Sequence, residues 1–172
     1  RLPDDRKLPT FENLDFCRDE MAKLEKIHSE VTSSLERHRF KEALRSIMTA
    51  AQLGNQMLQS VTPWKFLKDL AGVGADECMS ERSFGWRLSR YLAILTQPFL
   101  PFSAQRLWDA LGESGEVSQV GWNSAIDWDI EFKWSDAEAK PLFQRLDLDE
   151  ILEQEKSLAA DEPSKNEDTS HS

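Results

Sequence analysis

Leu14, Cys17, Met21, Leu24, Ile27, Val31 and Leu35 recur at steps of three and four, which lines them along one face of a helix of roughly six or seven turns. Glu12, Asp15, Asp19 and Glu20 crowd its start, and Arg37, His38 and Arg39 its end, as the helix macrodipole favours. A chain that begins with such a stripe must bury it against further helices.

The next segments supply them. Phe40, Leu44, Ile47, Ala51, Gly54, Leu58 and Val61 predict a second helix over Phe40–Val61 with those residues facing inward. Its small residues Ala50, Ala51 and Gly54 allow a neighbouring helix to approach closely. Pro63 cannot extend the hydrogen-bond ladder and biases Thr62 away from helix, so the chain turns there. Trp64–Leu70 can restart as a short helix with Pro63 in its first turn. After a loop marked by Gly72 and Gly74, Ser80 is the expected N-cap of a third long helix. Phe84, Leu88, Tyr91, Leu92, Leu95 and Phe99 form its apolar face. Pro98 and Pro101 interrupt it, Ser103–Leu111 forms another short helix, and Gly112 ends that one.

From Gly115 to Trp134 the pattern changes to aromatic and β-branched residues among turns. It predicts an irregular aromatic wrap with one short strand at most, over which Trp86, Trp108, Trp122, Trp128 and Trp134 bury. Leu142–Leu152 reads as a final helix packing Leu142, Phe143, Leu146 and Ile151, and the residues from 157 onward lack apolar periodicity. The expectation is an all-α antiparallel helical bundle: an extended lead-in over 1–9, where Pro3, Asp4-Asp5 and Pro9 fall, one helical domain over 10–156, and a disordered acidic tail over 157–172.

The 172 residues allow one full-sized domain and a tail, not two. No window reaches the roughly 20 apolar residues of a membrane span, and Arg1-Leu2-Pro3-Asp4-Asp5 does not read as a signal peptide. A cytoplasmic protein without a membrane partner is expected, and a chain opening on Arg1 reads as a piece of something longer. Cys17 and Cys78 have no ligand spacing for zinc, so two buried, reduced thiols and no metal site are expected. Taken over the whole chain, the net charge of −10 argues against a polyanionic partner. However, nine acids from Asp147 onward against Lys156 and Lys165 account for −7 of it. Between residues 37 and 68 the balance reverses, with Arg37, Arg39, Lys41, Arg45, Lys65 and Lys68 facing only Glu42.

Four motifs in order carry a family resemblance. They are Phe40-Lys41-Glu42-Ala43-Leu44-Arg45-Ser46-Ile47-Met48; Gly54-Asn55 followed by Pro63-Trp64-Lys65; Leu95-Thr96-Gln97-Pro98-Phe99-Leu100-Pro101; and Lys140-Pro141-Leu142-Phe143-Gln144-Arg145-Leu146. Over residues 10–150 the chain resembles the anticodon-binding domain of methionyl-tRNA synthetases, class I ligases that attach methionine to its tRNA using ATP. The resemblance implies the class Ia helical anticodon-binding fold and an anticodon stem-loop of methionine tRNA as partner. It also implies a catalytic domain upstream, where ATP and magnesium would act, and a first anticodon-domain helix lying before Arg1. Gln56 stands where the family usually has a basic residue, and Met57 where it usually has an aromatic.

In that frame Trp64, presented by Pro63, would stack on the first anticodon base, a contact worth roughly 1–3 kcal/mol, and Asn55 would reach a base edge or a carbonyl at the turn. Arg45, Lys65 and Lys68 would contact phosphates. Each has a structural alternative: an indole at a helix corner also serves as a plug, an amide as a packing or capping group, and a surface cation as a solvated one. No catalytic group is expected within the chain. It has no Gly-rich phosphate loop, no HIGH-like or KMSKS-like stretch and no histidine paired with a nucleophile; His28 and His38 read as solvated helix-surface residues. Two other readings stay open: the corresponding domain of a valine, leucine, isoleucine or cysteine enzyme, and a helical protein-interaction module without RNA contact.

Overall fold

A computed structural model describes residues 17–61, 75–130, 141–143 and 151–153. The described elements are helical, with no strand among them: α1 (Arg18–Glu36), α2 (Phe40–Val61), α3 (Ala75–Thr96), α4 (Pro101–Ala110), and two short 3-10 turns, Val117–Gln119 and Trp122–Ile126. By internal contacts the chain divides into two units, Arg1–Lys140 and Pro141–Ser172.

The expected stripe of α1 is the buried one: Met21, Leu24, Ile27 and Val31 are buried, and Leu35 packs at the margin of the same core. The helix stops at Glu36 because His38 takes up a left-handed conformation, φ 58°. Its N–H donates to the Leu35 carbonyl at 2.9 Å and that of Arg39 to the Ser34 carbonyl at 2.8 Å. This is a Schellman closure in which histidine stands where glycine is usual. The closure reverses the chain within three residues and lays α2 back against α1.

α2 has the expected bounds, but its inward face is rotated. The buried seam is Ala43, Ile47, Ala50 and Gly54, whereas Phe40 and Leu44, expected inside, are 54% and 39% exposed. The cause is close approach. A Cβ on Gly54 would collide with the Leu88 side chain of α3, so the small residues face the neighbours and the larger ones flank the seam. The Phe40 ring meets Phe99 edge-on at 6.5 Å. With Phe40 near the end of α3 and Gly54 opposite Leu88, α2 and α3 run antiparallel.

α3 begins at Ala75, directly after the Gly72–Gly74 stretch, so Ser80 lies inside the helix instead of capping it. Ala75, Asp76 and Glu77 make a favourable first turn, since alanine is the best helix former and acids suit a helix start. The helix is central: Phe84, Leu88, Tyr91, Ala93, Ile94 and Leu95 are all buried, and it touches α2, α4 and both 3-10 turns. α4 opens with Pro101 at its first position, and the chain leaves it through Gly112 at φ 76°.

Among its described residues the aromatic wrap holds two 3-10 turns and no strand. Trp86, Trp108 and Trp128 are buried, as expected of them, and Trp122 is half-buried; Trp134 lies outside the described residues. Two buried arginines of α3 hold the wrap by its backbone. Arg87 donates to the carbonyls of Trp128 at 2.7 Å and Ile130 at 3.0 Å, and to Ser83 of its own helix. Burial pulls its pKa down, and Asp129 and then Asp127 pull it back. Arg90 donates to the Ser124 carbonyl at 2.6 Å, pairs with Glu113 at 3.0 Å and lies 5.3 Å over the Trp108 ring. From the other side, Glu25, His28 and Thr32 of α1 form a polar row. The Trp128 indole donates to Glu25 at 3.0 Å and the Trp122 indole to Thr32 at 2.8 Å. His28 is therefore buried beneath Trp122, ring centroids 5.6 Å apart, and not the solvated residue its helix position suggested.

Cys17 is buried, as expected of it. In the second unit Pro141–Phe143 form a bend with Phe143 64% exposed, so the expected helix does not include Leu142 and Phe143; residues 151–153 are helical. The lead-in over 1–9, the short helix over Trp64–Leu70 and the tail over 157–172 lie outside the described residues.

Two predictions follow from the wrap. The Arg90 and Glu113 side chains are only 6% and 5% exposed, so Glu113→Gln strands a buried cation and should cost about 3 kcal/mol in urea unfolding. Burial holds the His28 imidazole below its usual value of 6.5, against a smaller upward pull from the Trp122 carbonyl. The unfolded chain therefore binds the proton first. The stabilisation due to neutral His28 is complete well above pH 6.5 and is lost as pH falls from 6.5 toward the lowered folded value. Between pH 7.5 and 5.5 the urea midpoint should fall more in the native protein than in His28→Gln.

Candidate nucleic-acid interface

The exposed side of α2 changes character along its length. Arg37 and Arg39 in the turn and Lys41 and Arg45 on the first helical turns all face solvent. Arg39 meets Glu42 at 3.4 Å with both side chains more than half exposed, a pair worth little in water. Lys41 and Arg45 stand one turn apart without an ion-pair partner among the described residues. Four cations against Glu42 thus mark the start of the helix as an anion-facing ridge.

Farther along, no residue from Ser46 to Val61 is charged. Asn55 lies ten residues beyond Arg45, about 15 Å along the axis. It is exposed, and its side chain makes no hydrogen bond among the described residues. Gln52, Gln56 and Gln59 are exposed beside it. The helix then ends at Val61, two residues before Pro63. Pro63, Trp64, Lys65 and Lys68 lie outside the described residues, so of the expected site the structure places Asn55 and Arg45, both on the solvent side of one helix.

Sequence reasoning passed over two groups of residues. Arg87 and Arg90 lay unremarked on a helix read for its apolar face, although an arginine within such a run is itself a signal of a buried polar anchor. Of the glutamines only Gln56 drew notice, as a departure from the family pattern, and Gln52 and Gln59 lay unremarked although all three are exposed on the same helix. Among the described residues no cluster of three or more His, Cys, Asp or Glu side chains converges, and no helix is long and apolar enough to cross a membrane.

The described residues thus place a cationic stretch and an amide-bearing stretch on the solvent side of one helix of an all-α bundle. Residues 18–166 match the sequence profile of the family described as the anticodon-binding domain of tRNA ligase, and the chain belongs to that family. It is 34% identical over 145 residues to the methionine–tRNA ligase of Methanopyrus kandleri, which covers 84% of this chain and 21% of that protein. The methionine–tRNA ligase of Aeropyrum pernix is 32% identical over 131 residues, 76% of this chain and 22% of that one. That of Methanosarcina mazei is 29% identical over 137 residues, 77% and 18%. The chain thus spans about a fifth of the length of these relatives.

Proposed function

We propose that this domain recognises the anticodon loop of methionine tRNA for a methionine–tRNA ligase, the cytoplasmic enzyme that attaches methionine to tRNA at the expense of ATP. The observation that carries the reading is the graded exposed side of α2, cationic at its start and neutral with an exposed Asn55 toward Pro63-Trp64, in a chain whose relatives are methionine–tRNA ligases. ATP and magnesium would act in a catalytic domain upstream; the residues of this chain bind and orient the RNA.

Trp64 stacks on one anticodon base, with Pro63 holding the turn that presents it. Unpaired loop bases are available for such a contact, which every base face permits. Asn55 hydrogen-bonds a base edge, and Arg45, Lys65 and Lys68 contact phosphates. Phosphate contacts set position and salt-dependent affinity, and base contacts set identity. A second reading, a protein-interaction module, draws on one observation, the exposed apolar row Phe40, Leu44 and Met48.

In the full ligase, Trp64→Ala should lower the rate of tRNA charging about tenfold or more, the loss of one stacked base. ATP–pyrophosphate exchange with methionine should stay unchanged, and charging at the native rate would refute the role. Lys41→Ala with Arg45→Ala should reduce the slope of log affinity for tRNA against log salt by about 0.7 for each phosphate contact removed. No tRNA binding by the native protein even at low salt would favour the protein-interaction module.

A further inference from the structure

We propose that His28 makes the attachment of the aromatic wrap to α1 a proton-operated latch: neutral, the imidazole clamps Trp122 to α1, and protonated, it releases that side of the wrap while Arg87 and Arg90 keep the other side on α3. The latch does not depend on the RNA-binding reading.

The hydrogen bond of the ring fixes where a second proton goes. His28 Nε2 lies 3.3 Å from the Trp122 carbonyl oxygen. A carbonyl only accepts, so Nε2 carries the hydrogen of the neutral ring and Nδ1 is its basic nitrogen. Among the described residues no hydrogen bond reaches Nδ1, and the residue is only 5% exposed. Protonation therefore adds a charge and a donor where neither an acceptor nor bulk water meets them.

The charged and titratable groups of the surrounding elements are engaged elsewhere. On α1, Glu25 accepts from the Trp128 indole at 3.0 Å and Glu30 from Ser46 of α2 at 3.5 Å, while Lys23 pairs with Glu20. At the start of α2, Arg39 pairs with Glu42. On α3, Arg90 pairs with Glu113, and Tyr91 donates to the Leu24 carbonyl, burial pushing its hydroxyl pKa up so that it stays neutral. In the wrap, Asp127 and Asp129 act on Arg87. Burial accordingly holds the imidazole below its usual 6.5, and the Trp122 carbonyl pulls it back only in part.

The two sides of the wrap answer to acid differently. On α3 the anchors are guanidiniums, which keep their charge through the acid range: Arg87 holds the Trp128 and Ile130 carbonyls and Arg90 that of Ser124. The Trp128 ring also stacks on Tyr91, centroids 6.1 Å apart. On α1 every contact of Trp122 converges on one helical turn. Its carbonyl and its ring meet His28, and its indole donates to Thr32, whose hydroxyl donates to the His28 carbonyl at 2.8 Å. An imidazole that turns out to water removes two of these contacts at once. Once out, it regains its ordinary pKa, so the open form takes the proton first. From 6.5 down to the lowered value of the closed form, each unit of pH raises the ratio of open to closed by up to about tenfold.

The test follows the indole N–H signals of isotope-labelled tryptophan by NMR in the 172-residue chain, between about pH 7.5 and about pH 5.5. Exchange of the Trp122 N–H with water, measured relative to that of Trp128, should rise about tenfold or more, with the same midpoint as the titration of the His28 ring. His28→Gln keeps a donor for the Trp122 carbonyl and has no proton to gain, so its exchange ratio should stay flat. An unchanged ratio in the native protein, an equal rise in His28→Gln, or two different midpoints would overturn the latch. Where His28→Gln does not fold, the two midpoints in the native protein decide alone.

Discussion

The contact between Gly54 and Leu88 settles how α2 is turned, and with it which residues of the domain meet solvent. A Cβ at Gly54 would press on the end of the Leu88 side chain; with glycine there the narrow seam of α2 lies against α3, and Ala43, Ile47 and Ala50 follow it inward by helical repeat. Arg45, Gln52 and Gln59 are thereby placed on the far side and Asn55 beside them. A larger residue at position 54 would displace the Leu88 side chain, and in a packed interior that shift is passed on to its neighbours. The exposed side of α2 is thus a consequence of the packing on its opposite side.

Much of this was legible in the sequence. The bounds of α2, the core stripe of α1 and the stop at Gly112 follow from spacing and from the chemistry of proline and glycine. The rotation of α2 was not, because two apolar rows lie side by side on it. Phe40 and Leu44 outrank Ala43 and Ala50 in hydrophobicity, yet close approach favours the small residues, and hydrophobic pattern alone does not contain that steric fact. His28 misled for a similar reason: its partner Trp122 lies far away in sequence, and no local pattern reveals which helix row an aromatic wrap will cover. Of the candidate site, the sequence places Asn55 and Arg45 on one helix, and the structure adds that both are exposed; the remaining site residues lie outside the described ones.

The wrap explains how a face so close to the interface can be left without internal partners. Polar anchoring in this domain is concentrated elsewhere, in Arg87 and Arg90 of α3 and in the Glu25, His28 and Thr32 row of α1. These groups satisfy carbonyls and indoles that would otherwise be buried unpaired, at about 1–3 kcal/mol apiece. With the core and the wrap secured by α1 and α3, α2 contributes mainly a narrow apolar seam, and its outer side is free of structural duty.

That freedom bears on the net charge of −10. The global sign of a protein says little about a ridge whose local field comes from Arg37, Arg39, Lys41 and Arg45 against Glu42, because exposed charges are screened over about 8 Å at physiological salt. A cationic ridge continued along the whole of α2 would hold any RNA backbone, and tightly, but with no preference for sequence. From Ser46 to Val61 the helix carries no charge, so the cationic field of its start falls off along its length.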